Sequence, residues 1–175
     1  MRRVLVVVFV FCASLGFSAS ADEAGEKVPV FPNFAFTSLD GTEQLDLESF
    51  RGRPTLMSFW ASWCGPCRQE LPELQKLAVE LADTGFALVT INMDGSAING
   101  ARFLKKHGID VPVYRIDKRT EMILGVRSLP TNMLLDPEGR PVMILRGYSP
   151  VVPDEIRRLV GEMDLSEGTD GRSGP

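Results

Sequence analysis

Apolar and polar residues change rhythm along this chain, and the changes mark out its elements. Residues 54–60 (Pro-Thr-Leu-Met-Ser-Phe-Trp) carry apolar side chains on both faces, which predicts a strand in the middle of a sheet. Residues 86–93 (Phe-Ala-Leu-Val-Thr-Ile-Asn-Met) predict a second buried strand. Between them, residues 67–82 follow helical spacing, with Leu71, Leu74, Leu77, Ala78 and Leu81 on one face and Gly85 beyond the end. Pro72 lies inside this helix and predicts a kink. Ahead of these, Phe34, Phe36 and Ser38 alternate, Asp40-Gly41 marks a turn, and residues 44–47 alternate back, which predicts a small hairpin.

Downstream the pattern predicts a helix over 97–107 ended by Gly108, a short strand over 111–116 and a short helix over 119–124 stopped by Gly125. A strand over 131–135, a turn at 136–139, an antiparallel return over 142–146 and a last helix over 154–163 complete it. The sum is an α/β domain over residues 34–163, a central mixed sheet flanked by helices with an antiparallel edge.

The two ends differ in kind. Arg2 and Arg3, the apolar run of residues 4–17 and Ala19-Ser20-Ala21 are the three parts of a secretory signal, with cleavage after Ala21. The rival reading is a retained anchor, since no charge interrupts residues 4–21. Residues 22–33 read as a polar linker, and residues 164–175, rich in Gly, Ser and Asp, as a disordered tail.

Cleavage changes the cysteine count. Cys12 leaves with the leader, and Cys64 and Cys67 remain. The exported chain would keep 17 basic against 23 acidic residues, a net charge of −6. That balance disfavours a nucleic-acid partner, which needs clustered positive charge. The short basic pairs Arg51/Arg53 and Lys105/Lys106 read as solvated faces, and His107 as a helix-end residue favoured by the dipole.

The chemistry concentrates at Cys64-Gly65-Pro66-Cys67. The pair falls where the strand ending at Trp60 hands over to a helix. Cys64 therefore faces the unpaired N–H groups and positive dipole end of that helix, which favour thiolate over thiol. Thiolate is the attacking species in disulfide exchange, so Cys64 is the expected nucleophile. Cys67, about one turn along, is the expected resolving thiol, and Gly65 and Pro66 set the turn. A structural zinc site needs four ligands, and two cysteines with the distant His107 do not supply them. Cu(I) transfer stays open, because soft thiolates suit it. No metal and no cofactor is called for. A thiol peroxidase would need Pro and a hydroxyl residue where this chain has Met57 and Ala61.

Phe59-Trp60-Ala61-Ser62-Trp63-Cys64-Gly65-Pro66-Cys67 resembles the thioredoxin active-site signature, and the likeness extends over residues 34–161. It implies a thioredoxin fold. Leu129-Pro130-Thr131 resembles the family's cis-proline loop, which implies that Pro130 packs beside the cysteines and Leu129 offers its backbone to substrate. Trp63 is implied as substrate-facing surface and Trp60 as core. The N-terminal hairpin and the extra helix and strand over about residues 97–116 resemble the exported branch typified by the TlpA and ResA proteins, as does Arg68-Gln69-Glu70-Leu71-Pro72-Glu73-Leu74.

That branch implies a periplasmic protein, soluble or tethered to the membrane. It would reduce disulfides of particular exported clients, in cytochrome c maturation or at copper-site cysteines, with electrons from a membrane thiol transporter. The expected state is a monomer. The Gly-Pro dipeptide is thioredoxin's and favours reductase over oxidase. The alternatives are a thiol oxidase or isomerase, and a binding module of the metallochaperone kind.

The sequence departs from the family in its proton-handling group. The buried Asp of cytoplasmic thioredoxin is replaced by Ser58, and the Glu of several exported members by Gly95. Asp94 and Glu70 are the candidates for proton transfer.

Overall fold

Every residue of strand β3 (Thr55–Trp60) is buried, and so is every residue of β4 (Ala87–Asn92), which runs parallel to it. The computed structural model describes residues 30–170 and places these two strands near the centre of a seven-stranded sheet. Around them lie β1 (Ala35–Ser38), β2 (Gln44–Asp46), β5 (Val113–Arg115), β6 (Thr131–Leu135) and β7 (Pro141–Arg146). The order across the sheet is β2-β1-β5-β4-β3-β6-β7. β5 is parallel to β4, while β6 and β7 run antiparallel on one side and β1 and β2 on the other. The hairpin thus extends the sheet by pairing β1 with β5.

The alternation of β3 divides its side chains between two cores. Met57 and Phe59 join Phe36, Val89, Ile91 and Met133 on one face, closed by Leu47, Phe50 and Leu124. Leu56 joins Leu74, Leu77, Leu134, Ile156 and Val160 on the other, beneath helices α1 (Gly65–Glu80) and α4 (Val152–Asp170). Trp60 continues that second face towards Cys67, Leu71 and Phe103, the last carried by α2 (Ala97–His107). α3 (Lys118–Ile123) lies between β5 and β6 in the chain. Burial of large apolar side chains at about 25 cal/mol per Å² is what holds the helices to the sheet.

Most boundaries shift by one or two residues from the sequence pattern, and four departures are structural. α1 begins at Gly65, ahead of Cys67, because the Cys64 sulfur caps it and Pro66 fits its first turn. Its tail tightens into a 3-10 turn, Ala82–Thr84, closed by Gly85 at φ 73°. Leu47–Phe50 is a 3-10 turn after β2, because Asp46 and Ser49 form a reciprocal capping box. α4 runs to Asp170, past Met163 and into the stretch expected to be tail, since each further residue of a nucleated helix adds a backbone bond. The expected leader, most of the linker and the end of the tail lie outside the described residues. Among the described residues, no helix is long and apolar enough to cross a membrane.

Gly100 is the close contact between α2 and the sheet. A Cβ there would meet Asn92 Nδ2 at 2.7 Å, and Asn92 is buried at 2% exposure. Gly100→Ala is therefore expected to cost about 1–3 kcal/mol by overpacking. Urea unfolding followed by circular dichroism checks this; an unchanged midpoint would show that Asn92 yields freely.

Candidate active site

Four residues, Ala61 to Cys64, connect β3 to α1. They are held at both ends by backbone bonds: Met93 N–H donates to Trp60 C=O at 2.8 Å, and Cys64 N–H to Ala61 C=O at 3.1 Å. Between them Asp94 acts as a clamp. Its carboxylate accepts from Ser62 N–H at 3.1 Å, from Ser62 Oγ at 2.9 Å and from Asn92 Nδ2 at 2.8 Å. Arg115 fixes the backbone of the same residue by donating to Asp94 C=O at 3.0 Å. Asp94 is buried, at 2% exposure, with its acceptor positions turned to the loop.

Cys64 and Cys67 are joined in a disulfide, with Cα atoms 5.3 Å apart. Cys64 is the N-cap of α1, and its sulfur accepts from Cys67 N–H at 3.3 Å. Side-chain oxygens usually serve at such positions. Cys64 keeps 4% exposure while Cys67 has none. Gly65 and Pro66 form the exposed first turn, and Trp63 stands 67% exposed beside it. Trp60 is fully buried.

The loop before β6 supplies a second wall. The Leu129–Pro130 peptide is cis, and Pro130 is buried. Leu129 packs against the cluster that contains both cysteines. Trp63, Met93 and Leu129, with Val126 and Arg127, line a cleft of about 270 Å³. The exposed indole, the disulfide and the cis-proline loop thus share one end of the sheet.

One turn along α1 from Cys67 lies a buried carboxyl group. Glu70 is three residues past Cys67, on the buried face that also carries Leu71 and Leu74. It is 1% exposed and accepts from Asn132 Nδ2 at 2.7 Å. Burial raises its pKa from 4.5 to about 7; the Asn132 bond opposes that rise and nearby Glu73 adds to it. Ser58 and Asn132 are register partners across β3 and β6, so their side chains share this face. Ser58 Oγ and Asn132 Oδ1 are buried without a hydrogen-bond partner among the described residues.

Two groups of this site escape a reading of the sequence. Asn132 lies in no motif, and Ser62 lies within the signature stretch but has no role assigned by it. Asn132 is detectable only as a polar residue inside the apolar run 131–135.

A family model, Redoxin, matches residues 23–145. The chain belongs to the Redoxin family. Within that family it is similar to a thiol-disulfide oxidoreductase ResA of Bacillus cereus, 30% identical over 147 residues that cover 79% of this chain and 83% of the relative. The ResA of Bacillus thuringiensis subsp. konkukian (strain 97-27) is 29% identical over 150 residues, 82% of this chain and 86% of the relative. Among solved structures, one assigned as a thiol:disulfide interchange protein DsbE from Chlorobium tepidum superposes with a TM-score of 0.71 at 27% identity, over 79% of this chain and 98% of that one. A thiol-disulfide oxidoreductase from Bacteroides fragilis NCTC 9343 gives 0.65 at 27% identity, over 75% and 99%. This Redoxin protein is a thiol–disulfide oxidoreductase with a thioredoxin fold.

In this Redoxin site Asp94→Asn turns an NH₂ group towards donors and leaves one of them unsatisfied, at an expected cost of about 1–3 kcal/mol in urea unfolding. Glu70 has a folded-state pKa above its unfolded value, so its neutral form favours the folded state. That contribution is complete below about pH 4.5 and is lost as pH rises to about 7 and above. Glu70→Gln, which keeps the acceptor for Asn132, is expected to flatten the stability–pH curve of the oxidised protein over that window, a difference on the order of 3 kcal/mol. Parallel curves for the two proteins would contradict the assignment.

Proposed function

We propose that this protein is an exported reductase that breaks disulfides in particular client proteins of the periplasm, with Cys64 as nucleophile and Cys67 as resolving thiol. The observation that carries the reading is the Cys64 sulfur seated as the N-cap of α1. Once the disulfide is reduced, the same N–H group and helix dipole stabilise the Cys64 thiolate. That thiolate attacks one sulfur of a client disulfide. A mixed disulfide forms and the first client thiolate leaves. Cys67, deprotonated, then attacks the Cys64 sulfur. The Cys64–Cys67 disulfide closes and the second client thiolate leaves, so two electrons pass to the client. A dithiol donor on the membrane, a thiol transporter, restores the reduced pair by the reverse exchange, because the periplasm is kept oxidising.

Three supporting roles belong to the same proposal. Trp63, Leu129 and Pro130 form the surface on which the client chain lies, with Leu129 offering its backbone. Gly65 and Pro66 leave the approach to Cys64 unobstructed; a Cβ on Gly65 would meet nothing within 4 Å. Glu70 takes and returns the Cys67 proton, supported by its position one turn along the same helix face and its pKa of about 7. Asp94 is the weaker candidate for that task, since Ser62 and Asn92 occupy its oxygens; it is a positioning residue for the loop. The clients remain those of cytochrome c maturation or copper-site assembly. The protein acts as a monomer, soluble or tethered.

A Cu(I)-binding module is the competing class for the same two sulfurs, and turnover separates the two. The protein is expected to reduce insulin catalytically with dithiothreitol as donor. Cys64→Ser abolishes that turnover, and Cys67→Ser accumulates a mixed disulfide that mass spectrometry detects. No turnover, together with a Cu(I) complex much tighter than that of ordinary thioredoxins, would reverse the reading.

A further inference from the structure

A second cleft, of about 250 Å³, meets the cysteine loop at Ser62. Arg68 enters it from the first turn of α1, and Arg102, Lys106 and His107 from α2, with Ser62 and Phe103 between them. No carboxylate lines it. None of these four residues makes an ion pair among the described residues. All four are exposed. The His107 ring lies against Phe103, with centroids 4.5 Å apart, and Phe103 against buried Trp60 at 5.6 Å, so the end of α2 is anchored to the core. In a chain of net charge −4, Arg68, Arg102 and Lys106 together are a concentration of unneutralised positive charge. It draws on two separate helices, which is why Lys106 reads as plain solvated surface until the chain folds.

The cleft is close to the reacting sulfur. Ser62 precedes Cys64 by two residues, so their Cα atoms are at most about 7 Å apart. Arg68 directly follows Cys67. A client chain extended over the site advances about 3.3 Å per residue. Carboxylates about two to four residues from the client's cysteine therefore reach the cleft while that cysteine is at Cys64.

We infer that this basic cleft binds an acidic segment flanking the reactive cysteine of the client, and so selects among disulfides. The inference rests on the reading of the protein as a reductase of client disulfides. The long-range field of an acidic protein repels such a segment, so the selection is local, through pairing with Arg68, Arg102 and Lys106, and is screened by salt.

The test compares two synthetic peptides with one intramolecular disulfide each, identical except for three Glu or three Gln residues beside one cysteine. Neutral 2-hydroxyethyl disulfide reports the reactivity of the dithiol alone. The native protein is expected to reduce the Glu peptide with a kcat/KM about fivefold higher at low ionic strength. The preference should vanish at about 0.5 M salt and fall to about twofold or less in Arg102→Gln/Lys106→Gln, which keeps Arg68, while the rate with 2-hydroxyethyl disulfide stays unchanged in that variant. Equal rates for the two peptides, or a preference undiminished by the double substitution, would overturn the inference. If neither peptide nor 2-hydroxyethyl disulfide is reduced, the reductase reading fails instead. The cleft is then judged by fluorescence anisotropy with cysteine-free versions of the peptides, where equal affinities for Glu and Gln forms overturn it. Sedimentation with phosphatidylglycerol vesicles covers the remaining source of anions. Vesicle binding lost in the double variant, without a peptide preference, assigns the cleft to the membrane surface and contradicts the inference.

Discussion

A sulfur atom caps helix α1, and the rest of the site is arranged around that contact. Cys64 has to sit where the helix N–H groups converge and still be reachable from solvent. The first demand is met by β3, whose six buried residues fix the point at which the chain leaves the sheet. The second is met by the loop, which Asp94 grips through Ser62 while Trp63 projects outward. Asn92, Asp94 and Ser62 thus transmit the position of a central strand to Cys64. Gly100 lets α2 approach closely enough to enclose that network.

Below the cap the interior becomes polar, which is costly and so informative. Ser58, Asn132 and Glu70 are all buried and adjoin one another, Asn132 bonding Glu70 and pairing with Ser58 across the sheet. A buried carboxyl is destabilised in its charged form, and the single bond from Asn132 restores only part of what water would provide. A core built for stability alone would place a leucine there. The arrangement gives the protein a buried carboxyl whose pKa is raised to about 7, one helical turn from Cys67, and the proposed proton transfer rests on that.

Much of this is legible in the sequence, for reasons that differ by element. β3, β4 and β6 are buried on both faces, so their runs of apolar residues announce them, and the range 131–135 coincides with the observed strand. The start of α1 precedes the expected Cys67 because its cap is a cysteine, and the preference for Ser, Thr, Asp or Asn at such positions gives no warning of it. Leu47–Phe50 mimics the end of an alternating strand because Asp46 and Ser49 cap each other only across a 3-10 turn. The burial of Glu70 is half visible: it shares the face of Cys67 and Leu71, but the same spacing fits an acid at a helix edge. The basic cleft is not legible at all, since it depends on how α1 and α2 pack. The family resemblance adds the cis geometry at Pro130 and the function, neither of which hydrophobic periodicity contains.

The central claim is that electrons flow from this cysteine pair to the client. The reduction potential of the Cys64–Cys67 couple tests it most directly, measured by equilibrating the protein in dithiothreitol or glutathione buffers while following the fluorescence of Trp60 and Trp63. A value near or below the roughly −270 mV of thioredoxin is the predicted result. A value near the roughly −120 mV of a strong oxidant such as DsbA would contradict the account and make the protein a donor of disulfides.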